Sequence, residues 1–435
     1  MKFYDRTAEI NTLRQIENMS EKAAQMTIIV GRRRVGKTTL LRNAYCNTPV
    51  LYFFTAKKNE VLLCEEFTRE IESKLNERVG YFRTFSDLFK YIMHLSERIG
   101  FTLIIDEFQD FEHINKSIFS DMQNIWDTHK DTSKINLVLC GSIYSMMKRI
   151  FENAKEPLFG RATSKLMIRT FDTDTLKTVL SDHNSGFTNE DLLSFYMITG
   201  GVAKYMEQLM MRSACTKESI LDNLFEAGSF FLDEGRAVLI DEFGKDYGNY
   251  FSVLSLIASS KTERGAIESI LGMPVGGYLD KLEKEYGLIK RIRPFMAKEG
   301  SRFNKYLIED NFLNFWFRFI YKYRSAIEIG NLQYVRDMVE RDYETYSGVI
   351  LEKYFRAQLK ESNLYSDIQS YWDRKGENEI DIVAVNEMNK RIVFYEVKRN
   401  KNRINLAILK TKAAAIVRQY PDFEAEYKAL SIEDM

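Results

Sequence analysis

Eight residues near the N-terminus have the spacing of a phosphate-binding loop. Gly31 to Thr38 reads GRRRVGKT, which fits G-x-x-x-x-G-K-[ST]. In such a loop, glycines let backbone N–H groups turn toward phosphate, the lysine reaches the β- and γ-phosphates, and the hydroxyl binds Mg²⁺. We therefore predict that ATP and Mg²⁺ bind here. The predicted binding residues are Gly31, Arg32, Arg33, Arg34, Val35, Gly36, Lys37, Thr38 and Thr39.

Two further polar groups follow apolar stretches. Phe101–Ile105 is followed directly by Asp106 and Glu107, and Ile135–Cys140 is followed by a glycine and Ser142. We expect Asp106 to hold Mg²⁺ through water and Glu107 to orient and deprotonate the attacking water. Ser142 would lie near the γ-phosphate. Acidic pairs and Gly-Ser pairs also occur in ordinary turns, so the neighbouring phosphate loop strengthens this interpretation.

A third group of charged residues lies near the C-terminus. Asp381 interrupts the apolar run EIDIVAV, and Glu396 and Lys398 stand two apart in FYEVK. Residues two apart in a strand point to the same face, so Glu396 and Lys398 project together and Asp381 can join them from a neighbouring strand. Carboxylates beside a lysine suit metal-assisted hydrolysis of phosphodiesters with Mg²⁺. The alternative is a structural Asp–Lys pair.

The elements that position these groups predict an α/β protein. Apolar strands alternate with helices up to residue 170, which favours a doubly wound parallel P-loop sheet, with a helical extension after it. From about Asp241, three short helices and a hairpin predict a winged helix-turn-helix, followed by an aromatic helix and a small α/β domain. The predicted ranges are 1–170 for the P-loop core, 171–240 for a helical lid, 241–310 for the winged helix, 311–345 for a helical linker and 346–435 for the last domain.

The first 240 residues resemble the archaeal-type family of AAA+-like, STAND-related P-loop ATPases. FYDRTAEINTL, GRRRVGKTTL, LIIDEFQ, LVLCGS, PLFGR and ITGGVAKY occur in that family's order. The resemblance implies that Asp5, Arg6 and Glu9 lie near the adenine, and that Ser142 senses the γ-phosphate. It also implies that Arg161 senses or stabilises phosphate charge, within its own subunit or from a neighbour. The alternative for Arg161 is a surface salt bridge.

The sequence departs from this family at one position after the glycine pair of ITGGVAKY. Ala203 stands where the family has a proline. A proline there fixes a turn through its locked φ angle. Without this proline, the coupling between the nucleotide state and the following domain is less certain. The phosphate chemistry is unaffected.

The last 100 residues resemble the PD-(D/E)xK nuclease superfamily, in the version that follows archaeal-type ATPase domains as a domain of unknown function. Glu352, Asp381, Glu396 and Lys398 stand at the positions of its motif. The resemblance implies that the three carboxylates hold Mg²⁺ and that Lys398 steadies or deprotonates the water. A degenerate nuclease fold that only binds is the alternative.

The winged helix is a candidate DNA contact. Its third helix mixes Lys281 and Lys284 with acidic residues, so it has no clean basic face. The wing carries basic residues that would meet phosphates. These are Lys290, Arg291, Arg293, Lys298, Arg302 and Lys305. The alternative is a structural lid with a solvated charged surface.

Composition limits the remaining function classes. Lys+Arg and Asp+Glu both number 62, so any basic surface must be local. The four cysteines and four histidines lack metal-ligand spacing, and no signal peptide or membrane span is evident, which favours a cytoplasmic location. We expect ATP and DNA as partners, no membrane, and room for a homo-oligomer or a protein partner. Two alternatives remain: an ATP-gated signalling or scaffold switch with an inactive nuclease fold, and a nuclease regulated by ATP binding alone.

Overall fold

The computed structural model describes residues 2–45, 49–142, 144–243, 247–298, 300–301, 303–373 and 378–435. The chain divides into two compact units. The N-terminal unit is Asp5–Arg169, and the C-terminal unit is Met1–Tyr4 together with Thr170–Met435. None of the helices within those described ranges has the length and apolarity needed to cross a membrane.

The N-terminal unit is built on a five-stranded parallel sheet. Its strands are β1 (Gln25–Val30), β2 (Val50–Phe54), β3 (Phe101–Asp106), β4 (Ile135–Gly141) and β5 (Ser164–Met167), in the order β2-β3-β4-β1-β5. β1, β3 and β4 are buried along their whole length, as expected for central parallel strands covered on both faces. Successive residues serve opposite cores: Ile28 packs in one apolar cluster and Ile29 in another.

Within the described part of this unit, seven α-helices accompany the sheet. They are α1 (Thr7–Ser20), α2 (Lys37–Ala44), α3 (Glu60–Leu75), α4 (Phe85–Arg98), α5 (Phe111–Ile114), α6 (Ser117–His129) and α7 (Tyr144–Glu152). The predicted α/β fold class with a parallel P-loop sheet is therefore confirmed.

The C-terminal unit begins with a bundle of helices. They are α8 (Thr173–His183), α9 (Asn189–Thr199), α10 (Ala203–Met211), α11 (Lys217–Leu224) and α12 (Phe230–Phe243). The first residues of the chain belong to this bundle: Tyr4 is buried in its core and Lys2 pairs with Asp182 at 2.7 Å. Tyr4 also hydrogen-bonds Asp182, and burial together with this carboxylate raises the pKa of Tyr4 to about 12.

The turn between α9 and α10 is fixed by two glycines. Gly200 and Gly201 both have positive φ, 51° and 77°. A Cβ on Gly201 would lie 2.2 Å from the carbonyl oxygen of Phe171. The backbone N–H of Phe171 donates to the carbonyl oxygen of Gly201 at 2.8 Å. Only glycine fits this close approach. The turn therefore keeps its shape without the proline that position 203 lacks.

Three helices and a hairpin follow. They are α13 (Tyr247–Ala258), α14 (Arg264–Leu271), α15 (Gly276–Lys284), β6 (Ile289–Ile292) and β7 (Lys305–Ile308), with the two strands antiparallel. The hairpin packs against the C-terminal sheet described below. Phe295, in the loop after β6, is only 4% exposed within that sheet's apolar cluster, and its N–H donates to the carbonyl of Ser370 at 2.7 Å.

An aromatic segment then leads into the longest helix. α16 (Asn311–Phe315) continues into a π-helical turn over Trp316–Tyr321, and Phe312, Phe315 and Phe319 are buried, as the aromatic pattern predicted. α17 (Arg324–Glu328) is short. α18 (Leu332–Glu361) has 30 residues and runs without a break across the predicted domain boundary at 345/346.

The chain closes with a small four-stranded mixed sheet. Its strands are β8 (Asp367–Trp372), β9 (Glu379–Asn386), β10 (Arg391–Val397) and β11 (Glu424–Leu430), in the order β11-β10-β9-β8, with α19 (Leu406–Val417) before β11. β8, β9 and β10 are antiparallel, whereas β10 and β11 are parallel. This sheet positions Asp381 on β9 beside the end of β10, where Glu396 lies.

Candidate functional site

The phosphate loop joins the end of β1 to the start of α2. Gly36 caps the helix with φ 93°, and Arg34 also has a positive φ of 75°. A Cβ on Gly31 would lie 2.6 Å from the carbonyl oxygen of Ile168, so the loop cannot hold a larger residue there without moving. Among the predicted binding residues, Arg34 and Thr39 are exposed and Val35 is buried, whereas Arg32 and Arg33 are half-buried.

Lys37 lies inside this loop and its ammonium contacts the loop's own carbonyls. Its Nζ donates to the carbonyl oxygens of Gly31 at 2.7 Å and Arg32 at 3.1 Å. Burial lowers the pKa of Lys37, and the nearby carboxylates of Asp106 and Glu107 oppose that shift. A buried cation in a loop of backbone N–H groups is an anion-binding arrangement.

Asp106 ends β3 next to the start of α2. Its Oδ2 accepts from Thr38 Oγ1 at 3.3 Å and also from the hydroxyl of Tyr52 on β2. Asp106 is 7% exposed. A hydroxyl and a carboxylate that converge beside a phosphate loop are oxygen ligands of the kind that Mg²⁺ prefers, so these two residues fit that ion.

Glu107 follows directly and adopts the left-handed conformation, with φ 52° and ψ 42°. Ser142, at the end of β4, donates to both of its carboxylate oxygens at 3.0 and 2.7 Å. Gln109 donates to Oε2 at 2.6 Å. The two donors hold the carboxylate of Glu107 at the same sheet edge as Lys37 and Asp106.

Arg6 lies at the start of α1, also near the carboxyl end of the sheet. It is 5% exposed, and its guanidinium contacts Glu9 at 3.0 Å and the carbonyl of Arg169 at 2.6 Å, just beyond β5. Both Asp5 and Arg6 have positive φ. The structure thus places this tight turn on the sheet edge that carries the phosphate loop.

Arg161 lies near the amino-terminal ends of the strands, whereas the phosphate loop lies at their carboxyl ends. Thr163 pairs with Met26, so the segment before β5 meets the amino-terminal end of β1, whereas the phosphate loop leaves its carboxyl end. Six residues of strand separate those ends by roughly 17 Å. The Arg161 guanidinium instead pairs with Asp127 on α6 at 3.1 Å. The structure does not bring Arg161 to the phosphate loop of its own chain.

The second candidate site centres on Asp381. Its Oδ2 accepts from the backbone N–H of Val397 at 2.7 Å and from Lys398 Nζ at 3.1 Å. The same ammonium lies 3.3 Å from Glu396 Oε1. Burial alone would lower the pKa of Lys398, but Asp381 and Glu396 outweigh it and raise that pKa. The ammonium of Lys398 therefore stays charged between the two carboxylates.

Glu352, on α18, supplies the third carboxylate of this site. Burial and the nearby negative charge of Asp381 raise the pKa of Glu352 to about 8. Arg356, one turn later, donates to the carbonyl of Asp381 at 2.9 Å and to Ser370 at 2.7 Å. The raised pKa of Glu352 thus reflects a buried carboxyl group that lies near a second carboxylate, Asp381.

Several contacting residues were missed by sequence reasoning. They are Tyr52, Gln109, Arg356, Ser370 and Lys412, the last of which lies 3.8 Å from Glu396 Oε2. Gln109 stands two residues after Glu107, and Arg356 four residues after Glu352 on one helix face, so spacing could have indicated both. Tyr52 and Lys412 had no such signal, because strand order and helix docking bring them in.

Comparison with known proteins finds family matches for two regions of the chain, residues 3–209 and residues 316–414. Residues 3–209 match a family described as an ATPase domain predominantly from Archaea. A Walker-type ATPase of Pyrococcus abyssi has a similar fold, with TM-score 0.55 at 17% identity over 72% of this chain and 96% of that chain. Residues 3–209 form a nucleotide-binding ATPase domain.

Other matches are to proteins without an assigned role. Residues 316–414 match a family of archaeal and bacterial proteins of unknown function. An uncharacterized protein of Methanocaldococcus jannaschii is 28% identical over 404 residues, which cover 91% of this chain and 87% of that protein. The ATPase domain contains the phosphate loop, and the second matched region contains Glu352, Asp381, Glu396 and Lys398.

Proposed function

We propose that the ATPase domain uses Mg²⁺ to hydrolyse ATP at the loop around Lys37. Lys37 would exchange its carbonyl contacts for the β- and γ-phosphates, and Thr38 and Asp106 would hold Mg²⁺. When bound, that ion would neutralise charge on the phosphates. Glu107, held by Ser142, would orient water and accept its proton. The observation that supports these roles is the convergence of Lys37, Asp106 and Glu107 at one sheet edge.

Substitution of Glu107 tests this assignment. Glu107→Gln keeps the shape of the side chain but removes the proton acceptor, so hydrolysis should fall by about 10²–10⁴-fold. Binding of a fluorescent ATP analogue should persist, whereas Lys37→Ala should lose it. Glu66→Gln, which alters a surface partner of Lys58, is the matched control. Unchanged hydrolysis in Glu107→Gln would refute the role of this carboxylate.

For Arg161, we propose a role toward the nucleotide of a neighbouring copy. Its distance from the loop of its own chain supports this version over an action in cis. Mixing Arg161→Ala with Glu107→Gln tests it, because each inactive chain would supply the group that the other lacks. Recovery of hydrolysis on mixing is expected. Full activity of Arg161→Ala alone would overturn the proposal.

We further propose that the C-terminal sheet cleaves phosphodiester bonds of DNA with a divalent metal. The contacts of Lys398 with Asp381 and Glu396, and the electrostatic effect of Asp381 on the nearby Glu352, support this. The carboxylates would hold the ion, which when bound would polarise the phosphate and activate water. Because its pKa is raised, Lys398 would act as a cation that steadies water or phosphate, and it would not accept the proton.

Basic residues near these carboxylates offer a path for the phosphate backbone. Partial desolvation lowers the pKa of Lys360 on α18, and the positive charges of Lys290 and Arg356 lower it further. Lys290 is an exposed residue of the hairpin, and Arg356 contacts Asp381. These three cations therefore follow one another from the hairpin to the carboxylates.

Two other basic residues of the hairpin segment already have acidic partners. Arg291 pairs with Glu283, and Lys305 with Glu379. On α15, Lys284 pairs with Asp280. Arg302 lies outside the described residues. The pairing on α15 supports DNA contact along the Lys290–Lys360–Arg356 path in preference to insertion of α15 into a groove.

Plasmid DNA incubated with Mg²⁺ or Mn²⁺, with and without ATP, tests this function. Cleavage should be lost in Asp381→Ala and kept in Asp367→Ala, an aspartate on the neighbouring strand β8. Lys290→Glu should weaken DNA binding and its salt dependence, whereas Lys284→Glu should not. Cleavage that survives Asp381→Ala would exclude this site.

A second candidate function is an ATP-gated switch with an inactive nuclease fold. The charged Lys398 bridging Asp381 and Glu396 favours it, because that pairing satisfies two carboxylates without an ion. Absence of cleavage and DNA binding under every metal and nucleotide condition would establish this alternative over the nuclease. Cleavage that persists in Glu107→Gln only with ATP present would instead indicate control by ATP binding alone.

A further inference from the structure

Two histidines converge on one carboxylate at the surface of the N-terminal unit. His94 and Glu97 stand three residues apart on α4 and share a helix face. His129 is the last residue of α6, and its ring centroid lies 4.4 Å from that of His94. Glu97 Oε1 lies 3.6 Å from His94 Nδ1 and 3.2 Å from His129 Nδ1. The histidines lie 35 positions apart in the chain, so sequence spacing indicated no site.

The separations match those of metal ligands. One nitrogen or oxygen from each of these residues lies within 4.8 Å of the others. Around a tetrahedral Zn²⁺ with bonds of 2.0–2.1 Å, ligand atoms lie roughly 3.3 Å apart. Both separations between a histidine and Glu97 are already within a few tenths of an ångström of that value.

We propose that His94, Glu97 and His129 bind a divalent transition metal of the Zn²⁺ class, with water completing the coordination. Two imidazoles and one carboxylate suit such ions better than Mg²⁺, which prefers oxygen ligands. The His94 side chain is 51% exposed, which gives the ion access, whereas His129 is 13% exposed and anchored. The bound ion would tie the end of α6 to α4.

The surroundings support a cation at this point. Thr132 Oγ1 donates to Glu97 Oε1 at 3.3 Å and orients the carboxylate, as outer residues of metal sites do. The two flanking cations have acidic neighbours of their own: Arg98 lies 3.7 Å from Glu77, and Lys130 lies 4.0 Å from Asp127. The competing description is a salt bridge in which protonated histidines share Glu97 without a metal.

Titration of the full chain with Zn²⁺ and Co²⁺ tests the site. Excess Mg²⁺ and an Asp381→Ala background suppress binding at the oxygen-rich sites. We expect one equivalent of Zn²⁺ by calorimetry and a visible absorption band with Co²⁺. His94→Gln and His129→Gln should each weaken binding at least tenfold. His183→Gln, whose Nδ1 lies 2.9 Å from a carbonyl of its own helix, should change nothing.

Thermal unfolding gives a second readout. Zn²⁺ should raise the melting temperature of the N-terminal unit in the parent protein and in His183→Gln, but not in His94→Gln. Because His94 is half exposed, its substitution should leave the fold intact, which circular dichroism checks. Absence of a bound equivalent, or equal affinity in His94→Gln and the parent, would overturn the proposal in favour of the salt bridge.

Discussion

Lys398 decides the charge balance of the C-terminal carboxylate site. Its ammonium contacts Asp381 and Glu396, and Lys412 lies 3.8 Å from Glu396 as a second cation. Glu352 is the carboxyl group with the raised pKa, because it is buried and lies near the negative charge of Asp381. The metal-free site is thus expected to hold a proton that a divalent cation would displace.

Glu352→Gln should flatten the pH dependence of stability. The folded-state pKa of about 8 exceeds the ordinary 4.5, so the folded state binds the proton more tightly. The stabilisation is complete below pH 4.5 and is lost as the pH rises to about 8. We expect the metal-free variant to be more stable than the parent at pH 8, by on the order of 1–2 kcal/mol.

Tryptophan fluorescence during urea unfolding measures this effect. In a Trp126→Phe background, Trp316 and Trp372 report on the C-terminal unit. Measurements at pH 5, 6.5 and 8 in EDTA should show falling stability for the parent and a level profile for Glu352→Gln. Mg²⁺ should reduce the fall in the parent. Parallel profiles for both proteins would show that Glu352 is not the titrating group.

At the residue scale, sequence predicts groups that are tied to a motif or a strand period. Lys37 follows from the phosphate-loop motif, Asp106 and Glu107 from their place at a strand end, and Glu396 and Lys398 from their spacing. The partners of those groups arise from tertiary packing: Tyr52 reaches Asp106 only because β2 lies beside β3. Arg161 shows that a motif alone does not give position: the PLFGR motif identified this arginine as a candidate, but it could not indicate at which end of the strands it lies.

At the element scale, the turn before α10 is built by glycine geometry. Gly201 approaches Phe171 closely, and Val202 follows with φ −75° and ψ 117°. Ala203 is the first residue of α10, a position whose N–H has no partner within its helix. The order of three short helices and a hairpin after Asp241 could be predicted from the sequence, because periodicity and glycine placement indicate it directly.

Ala203→Pro should therefore stabilise the protein. Proline is favoured at the first helical position, and Val202 already has the extended conformation that a residue before proline requires. The expected gain is about 0.4–1 kcal/mol, because proline restricts the unfolded chain. Urea unfolding measures it, with Ala214→Pro as a destabilising control, since the N–H of Ala214 donates to Leu209 at 2.9 Å. A loss of stability in Ala203→Pro would mean that the fold needs the N–H of Ala203 or that the proline ring clashes with its neighbours.

At the scale of the whole molecule, α18 makes the C-terminal unit indivisible. Tyr346, Ile350 and Tyr354 on this helix are buried in one core with α9, and the rings of Tyr354 and Tyr196 meet edge to face at 5.3 Å. Arg399 adds a 2.7 Å ion pair to Glu190 on α9. Sequence could not predict this union, because the polar and apolar pattern of α18 does not indicate which elements it faces.

A fragment of residues 346–435 should consequently fail to fold alone. It would expose the face of α18 that α9 covers and would lose the first half of the helix. A fragment of residues 170–435 keeps these partners and should unfold cooperatively. Heteronuclear NMR and calorimetry compare the two. Dispersed resonances and a sharp transition for 346–435 would show that the small sheet carries its own stability.

The packing of Tyr4 and Lys2 against Asp182 sets an order of events during synthesis. Asp182 follows Tyr4 by 178 positions, so residues 2–4 leave the ribosome well before their partner. At about 5–20 residues per second, they wait roughly 10–35 s for their partners. The parallel sheet between them can fold within that interval, so residues 2–4 reach their packed positions after that sheet has formed. We therefore expect an affinity tag fused before Lys2 to interfere with folding of the C-terminal unit more than with folding of the N-terminal unit.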